Sequence, residues 1–183
     1  MGVHVQELAW IGLGSNLGSR RDHLCAALDA LGELSVTGGL AASRLYETDP
    51  VGPGEQGPYL NAVVRIAPRL EPRALLAALQ AIEAARGRER GLERDAPRTL
   101  DLDLLLYGER RIDEPDLVVP HPRLTQRGFV LEPLCDLDLE LVVPGVGRSV
   151  AKLAAAVRDP EAVRVATHLE EPRWPSPPSA SRP

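Results

Sequence analysis

Asp101 and Asp103 stand two residues apart in the run Thr99-Leu100-Asp101-Leu102-Asp103-Leu104-Leu105-Leu106-Tyr107, which otherwise has the composition of a buried strand. Side chains alternate across a strand, so the two aspartates share one face while Leu100, Leu102 and Leu104 point to the other. Aspartate is disfavoured in strands, and two neighbouring carboxylates repel each other and resist burial. The pattern therefore asks for a cation beside them, either an arginine or a hard divalent ion.

The preceding segment narrows that choice. Arg86, Arg88, Arg90, Arg94 and Arg98 fall within thirteen residues that also hold Gly87, Gly91 and Pro97. The glycines and proline mark a loop, and the guanidinium fork matches phosphate oxygens. Carboxylates next to an arginine loop suggest a metal-bound polyphosphate, with Mg²⁺ favoured by hard oxygen ligands. His121, held between Pro120 and Pro122, reads equally as a structural histidine and as a ligand or phosphate contact. Tyr59 and Asn61 share a strand face with Val63, and an aromatic beside an amide suits a flat heterocycle as well as it suits plain strand surface.

The elements that must position these groups follow from periodicity. Leu8 to Leu13 predicts a strand ending in Gly14-Ser15-Asn16-Leu17-Gly18. Ser19 reads as an N-cap, and Leu24, Leu28 and Leu31 predict a helix that stops at Gly32. Val36 to Thr48 is extended, residues 49–58 form a loop with three prolines and three glycines, and Tyr59 to Ile66 alternates as a strand. Pro72 opens a second helix with Leu75, Leu79 and Ile82 on its apolar stripe and Gln80 and Glu83 near its end. After the aspartate strand come a ribbon over Gly108 to Val119, a mixed segment through Leu141, a helix over Val150 to Val157 and a possible strand over Ala162 to Leu169. The order β-α-β-β-α-β up to Tyr107 is the split βαβ, ferredoxin-like pattern, so the fold class is α+β with an antiparallel sheet. A single domain over residues 1–169 is expected, followed by a disordered tail over 170–183, where five of fourteen residues are proline.

Composition excludes several classes. The net charge is −5, and the arginines outside the one loop are dispersed, which argues against nucleic-acid binding. Aromatics make up only 3%, so the core must be aliphatic. Cys25 and Cys135 lie far apart with no metal-ligand spacing, and Cys25 falls on the apolar helix pattern. No signal-like segment or membrane-length apolar run is present, so a cytoplasmic protein without membrane association is expected. Gly12-Leu13-Gly14-Ser15-Asn16-Leu17-Gly18 has GxGxxxG spacing rather than the dinucleotide fingerprint, and a tight strand-to-helix turn accounts for it.

The strings Arg94-Asp95-Ala96-Pro97-Arg98-Thr99-Leu100-Asp101-Leu102-Asp103, Val119-Pro120-His121-Pro122 and Arg127-Gly128-Phe129 closely resemble the 6-hydroxymethyl-7,8-dihydropterin pyrophosphokinases of folate biosynthesis. So do Gly14-Ser15-Asn16-Leu17-Gly18, Tyr46-Glu47-Thr48-Asp49-Pro50-Val51-Gly52 and Tyr59-Leu60-Asn61, and the likeness runs in order over residues 8 to 160. The resemblance implies transfer of the β,γ-pyrophosphoryl unit of ATP to the hydroxymethyl oxygen of a reduced pterin, with release of AMP. It implies that Asp101 and Asp103 hold two Mg²⁺ ions. It puts Thr48, Val51, Gly52, Tyr59, Asn61 and Phe129 around the pterin, and Gln80, Glu83, Arg90, Arg94, Arg98, Leu104, His121 and Arg127 around ATP. Arg88 and Arg98 would act near the reacting phosphates. Well-known members carry tryptophan where this chain has Asp95, and some carry threonine in place of Val118. Two other readings remain open at this level: a nucleotidyltransferase pairing Gly14-Ser15 with Asp-x-Asp, and a ferredoxin-like module that binds ligand without catalysis.

Overall fold

The computed structural model describes residues 6–49, 57–87, 97–157, 163–166 and 174–178. Its main sheet is built on β1 (Ala9–Ser15), followed by α1 (Arg20–Leu34), β2 (Ser35–Ala42), β3 (Tyr46–Thr48), β4 (Tyr59–Pro68), α2 (Pro72–Ala85) and β5 (Asp101–Tyr107). A small hairpin, β6 (Ile112–Glu114) with β7 (Leu117–Val119), leads to a 3₁₀ turn at Leu124–Gln126. The chain continues through α3 (Gly128–Leu137), α4 (Val150–Ala156) and β8 (Arg164–Val165). The strand order is β5-β1-β4-β3-β8, with β2 also on β4 and every pairing antiparallel. That is the expected α+β, split βαβ arrangement. Because β1 has antiparallel neighbours on both edges, a dinucleotide-type βαβ crossover is absent there.

The two faces of the sheet carry separate cores. Ile11, Leu13, Leu60, Ala62, Val64, Leu102 and Leu104 pack against Leu24, Leu28 and Leu31 of α1 and Leu75 and Leu79 of α2. Trp10, Val63, Leu105 and Leu106 pack on the other face against Leu131 and Leu134 of α3 and Leu153 of α4. The register places Trp10 opposite Leu106 and Ile11 opposite Leu104, so Leu105 is the extra residue of a bulge. Leu105 and Leu106 consequently both join the α3 side, and the aspartates keep their own face toward the first turn of that helix.

Several boundaries differ from the sequence expectation. Helix α1 continues past Gly32 to Leu34, since Leu31 is fully buried and its packing outweighs the low helix propensity of one glycine. Ser19 makes no side-chain cap; its carbonyl accepts the His23 N–H instead. The extended stretch to Thr48 is two strands. At the break, Ser43 donates its own N–H to the Val63 carbonyl, while its hydroxyl accepts the Val63 N–H at 3.0 Å, so a side chain completes the ladder. The mixed segment before Leu141 contains α3 despite Pro133, because buried Val130, Leu131, Leu134 and Leu137 hold that helix to the sheet. Within the expected tail, Trp174 packs on the α1 side of the core and donates Nε1–H to the Ser43 carbonyl at 2.8 Å. Among the described residues no helix is long and apolar enough to cross a membrane.

Candidate active site

Gly12 and Gly14 of β1, Asn61 and Val63 of β4, and Asp101, Asp103 and Leu105 of β5 line one cavity of about 350 Å³. Lacking side chains, the two glycines leave a floor between β4 and β5. A Cβ on Gly14 would lie 3.3 Å from Asn61 Oδ1 and 3.9 Å from Asp101 Cβ. Thr48, Tyr59, Arg98, Arg127 and Phe129 complete much of the wall.

The carboxylates are flanked by two arginines and a histidine. Arg98 Nη1 donates to Asp101 Oδ2 at 3.0 Å, and Arg127 Nη1 and His121 Nε2 lie 3.8 Å and 4.0 Å from Asp103 Oδ2. Arg98 is anchored by its backbone: its N–H donates to Asn16 Oδ1 at 2.7 Å and its carbonyl accepts the Asn16 N–H at 3.1 Å. Asn16, at the end of β1, thus fixes where the arginine enters the site. Burial works against the Arg98 charge, but Asp101, with Tyr59 and Asp103 adding to it, more than offsets this and raises the pKa. Arg127 lies over the Phe129 ring at 5.3 Å, a cation–π contact that orients both.

His121 follows a cis Val119–Pro120 peptide and donates its N–H to the Leu105 carbonyl at 2.9 Å. Its Nδ1 accepts the Arg123 N–H at 3.2 Å, which leaves the ring proton on Nε2 toward Asp103. Burial lowers its pKa; Asp103 partly offsets this, while Arg127 and Arg123 add to the lowering. With Nδ1 occupied as an acceptor, Nε2 is the ring nitrogen that faces Asp103.

On the pterin side of the expectation, Asn61 and Thr48 are buried at 5% and 2% exposure, and Asn61 Nδ2 donates to Thr48 Oγ1 at 2.9 Å. That bond turns Asn61 Oδ1 toward Gly14 and keeps it available as an acceptor. Glu83 is buried and accepts the Leu102 N–H, and the Leu104 side chain lies in the core on the opposite face. Gln80 is half-buried on α2. Val51, Gly52, Arg88, Arg90 and Arg94 lie outside the described residues, as does Asp95.

Arg123 and Gln126 also line the cavity, although the sequence reading passed over them. They stand three apart across the 3₁₀ turn, and i,i+3 residues of such a turn eclipse one another. Their position between His121 and Arg127 was the available signal. Ser15, needed beside the aspartates by the nucleotidyltransferase alternative, is fully buried and does not line the cavity.

The donor set suits magnesium. Among the described residues no group of three metal-binding side chains occurs, and Asp101 and Asp103 would offer such an ion two carboxylates from one strand face. Mg²⁺ is commonly held by one or two carboxylates together with substrate phosphates and water.

Comparison with known proteins agrees with this geometry. The family model described as 7,8-dihydro-6-hydroxymethylpterin-pyrophosphokinase matches residues 10–139. A 2-amino-4-hydroxy-6-hydroxymethyldihydropteridine pyrophosphokinase of Pseudomonas aeruginosa is 48% identical over 147 residues, covering 80% of this chain and 90% of its own. One of the same name from Haemophilus influenzae is 45% identical, covering 74% and 84%. The folic acid synthesis protein fol1 of Pneumocystis carinii is 39% identical over 84% of this chain, which spans 20% of that protein. A crystal structure of an HPPK-DHPS in complex with substrates has the same fold, with a TM-score of 0.64 at 13% identity, covering 82% of this chain and 43% of that one. The chain belongs to the 7,8-dihydro-6-hydroxymethylpterin-pyrophosphokinase family.

Proposed function

We propose that the chain transfers pyrophosphate from ATP to the hydroxymethyl group of 6-hydroxymethyl-7,8-dihydropterin, giving AMP and the pterin diphosphate. Family membership supports this, and the observation that carries it is one cavity holding both the Asp101–Asp103 face and the Asn61–Thr48 pair. Asp101 and Asp103 hold two Mg²⁺ ions in this reading. Bound there, magnesium would neutralise triphosphate charge and align the chain of phosphates.

The side chains do the rest by position. Asn61 and Thr48 supply hydrogen bonds at the edge of a flat ring, Phe129 offers a face for stacking, and Tyr59 lines the same wall, with Val51 and Gly52 assigned to that side. Arg98, Arg127 and the Nε2–H of His121 converge on the carboxylate pair, where phosphate oxygens would replace part of their present contacts. Gln80, Arg88, Arg90 and Arg94 are assigned to the nucleotide side on the family pattern, and Leu104, whose side chain lies in the core, would act there through its backbone alone. A new bond forms between the hydroxymethyl oxygen and the β-phosphorus as the β-phosphorus–oxygen bond to AMP breaks. Such transfers need little covalent help, so in-line positioning and charge neutralisation account for most of the rate.

Incubation with ATP, Mg²⁺ and 6-hydroxymethyl-7,8-dihydropterin tests the reading. AMP and a pterin diphosphate are expected in equal amounts, whereas ADP or an unchanged pterin rejects it. Asp101→Ala should abolish metal-dependent ATP binding; a binding module indifferent to metal would keep it.

A further inference from the structure

We infer that Glu83 is a positioning residue that clamps the peptide between the two aspartates and so sets the directions of both carboxylates. The inference rests on the pyrophosphokinase reading and adds to it a role that does not require contact with nucleotide. Glu83 Oε1 accepts the Leu102 N–H at 2.7 Å, and Leu102 is the residue between Asp101 and Asp103. Among the described residues strand β5 is the terminal strand of its sheet, paired with β1 alone, so its outer edge has no strand partner there. A buried N–H there requires an acceptor from elsewhere.

The position of Glu83 is otherwise an unfavourable one for a carboxylate. It continues the buried stripe Leu75, Leu79, Glu83 of α2, where helical periodicity asks for an apolar residue. It is 3% exposed, the only buried carboxylate among the described residues. It also lies in the last turn of its helix, where the macrodipole disfavours negative charge. A leucine would pack there and leave the Leu102 amide unsatisfied. The carboxylate therefore ties α2 to the metal-binding segment of β5.

The test compares Glu83→Gln, which keeps an oxygen acceptor at the same reach, with Glu83→Asp, which keeps the charge but falls one methylene short. Mg²⁺ half-saturation of AMP formation, Mg²⁺-dependent binding of a nonhydrolysable ATP analogue by calorimetry, metal-free pterin binding and Leu102 amide exchange are measured in the full chain. The expected half-saturation rises by about threefold for Gln and by about tenfold or more for Asp, from loss of a buried hydrogen bond to a charged acceptor. Metal-free pterin binding should change by less than about twofold in both, since a buried bond on the far edge of β5 is remote from that wall. Leu102 exchange should accelerate in the Asp variant alone. The reverse order, with Asp tolerated and Gln damaging, would overturn the inference in favour of direct nucleotide contact. Unchanged Mg²⁺ dependence in the Asp variant would also overturn it. If the Asp variant does not fold, the exchange data decide: a Leu102 amide unprotected in either the wild type or the Gln variant rejects the clamp. Failure of the wild type to release AMP would reject the function itself, and analogue binding would still report on Glu83.

Discussion

Replacing Gly14 by alanine separates the stability of the site from its use. The added Cβ would sit 3.3 Å from Asn61 Oδ1, so the carboxamide must give by a few tenths of an ångström. Asn61 cannot turn freely, being 5% exposed and bonded through Nδ2 to Thr48 Oγ1. With Asn61 at the pterin edge as proposed, displacing Oδ1 would cost one ligand hydrogen bond, about 1 to 1.4 kcal/mol, and raise the pterin KM about five- to tenfold. Gly14 lies in an ordinary strand, where alanine reduces unfolded-chain entropy and stabilises by about 0.4 to 1 kcal/mol. The variant should thus melt at or slightly above the wild-type temperature while binding pterin less well, with little change in the KM for ATP. Combined with Asn61→Ala, the Gly14 substitution should cost almost nothing further, because the group it displaces is gone. An unchanged pterin KM, or full additivity in the double variant, would refute the account of the cavity floor.

Asp136 accepts hydrogen bonds from the Arg44 guanidinium and N–H and from the Tyr46 hydroxyl, joining α3 to β3. Asp136→Ala should cost about 1 to 3 kcal/mol in urea unfolding, because the Tyr46 hydroxyl loses its acceptor and keeps only the Arg44 Nη2 donor; a loss near zero would contradict this. The Cys135 thiol is pushed up to about 11 by burial, with Glu132 and Asp136 adding to the shift. At pH 8 roughly one molecule in a thousand carries the thiolate, so iodoacetamide should label Cys135 at least about a hundredfold more slowly in the native chain than in urea. Peptide mapping would read this directly, and equal rates would show the thiol to be solvated. Trp174→Ala, or removal of residues 170–183, should lower the melting temperature through loss of about 1 to 2 kcal/mol of burial and one hydrogen bond. A terminal segment without contacts would leave the melt unchanged.

What could be read from sequence was whatever depends on period and local chemistry. Two-residue alternation was enough to put Asp101 and Asp103 on one face and Leu102 and Leu104 on the other, and the same rule grouped Tyr59, Asn61 and Val63. Pro72 and the Leu75–Leu79 stripe located α2 for the same reason: these preferences act within a few residues. The end of α1, the helix around Pro133 and the anchoring of Trp174 were not legible, because burial against distant elements overrode the local signals. Glu83 shows the difference most clearly. Its spacing marks the buried stripe of a helix, but its work lies at an amide nineteen residues away. Which side chains flank each aspartate was likewise a tertiary decision: Arg98 is held by Asn16 at the end of β1, and His121 and Arg127 arrive through a later loop. Local sequence chooses the face on which a side chain emerges, and only the closing of the chain brings its partners within a few ångströms.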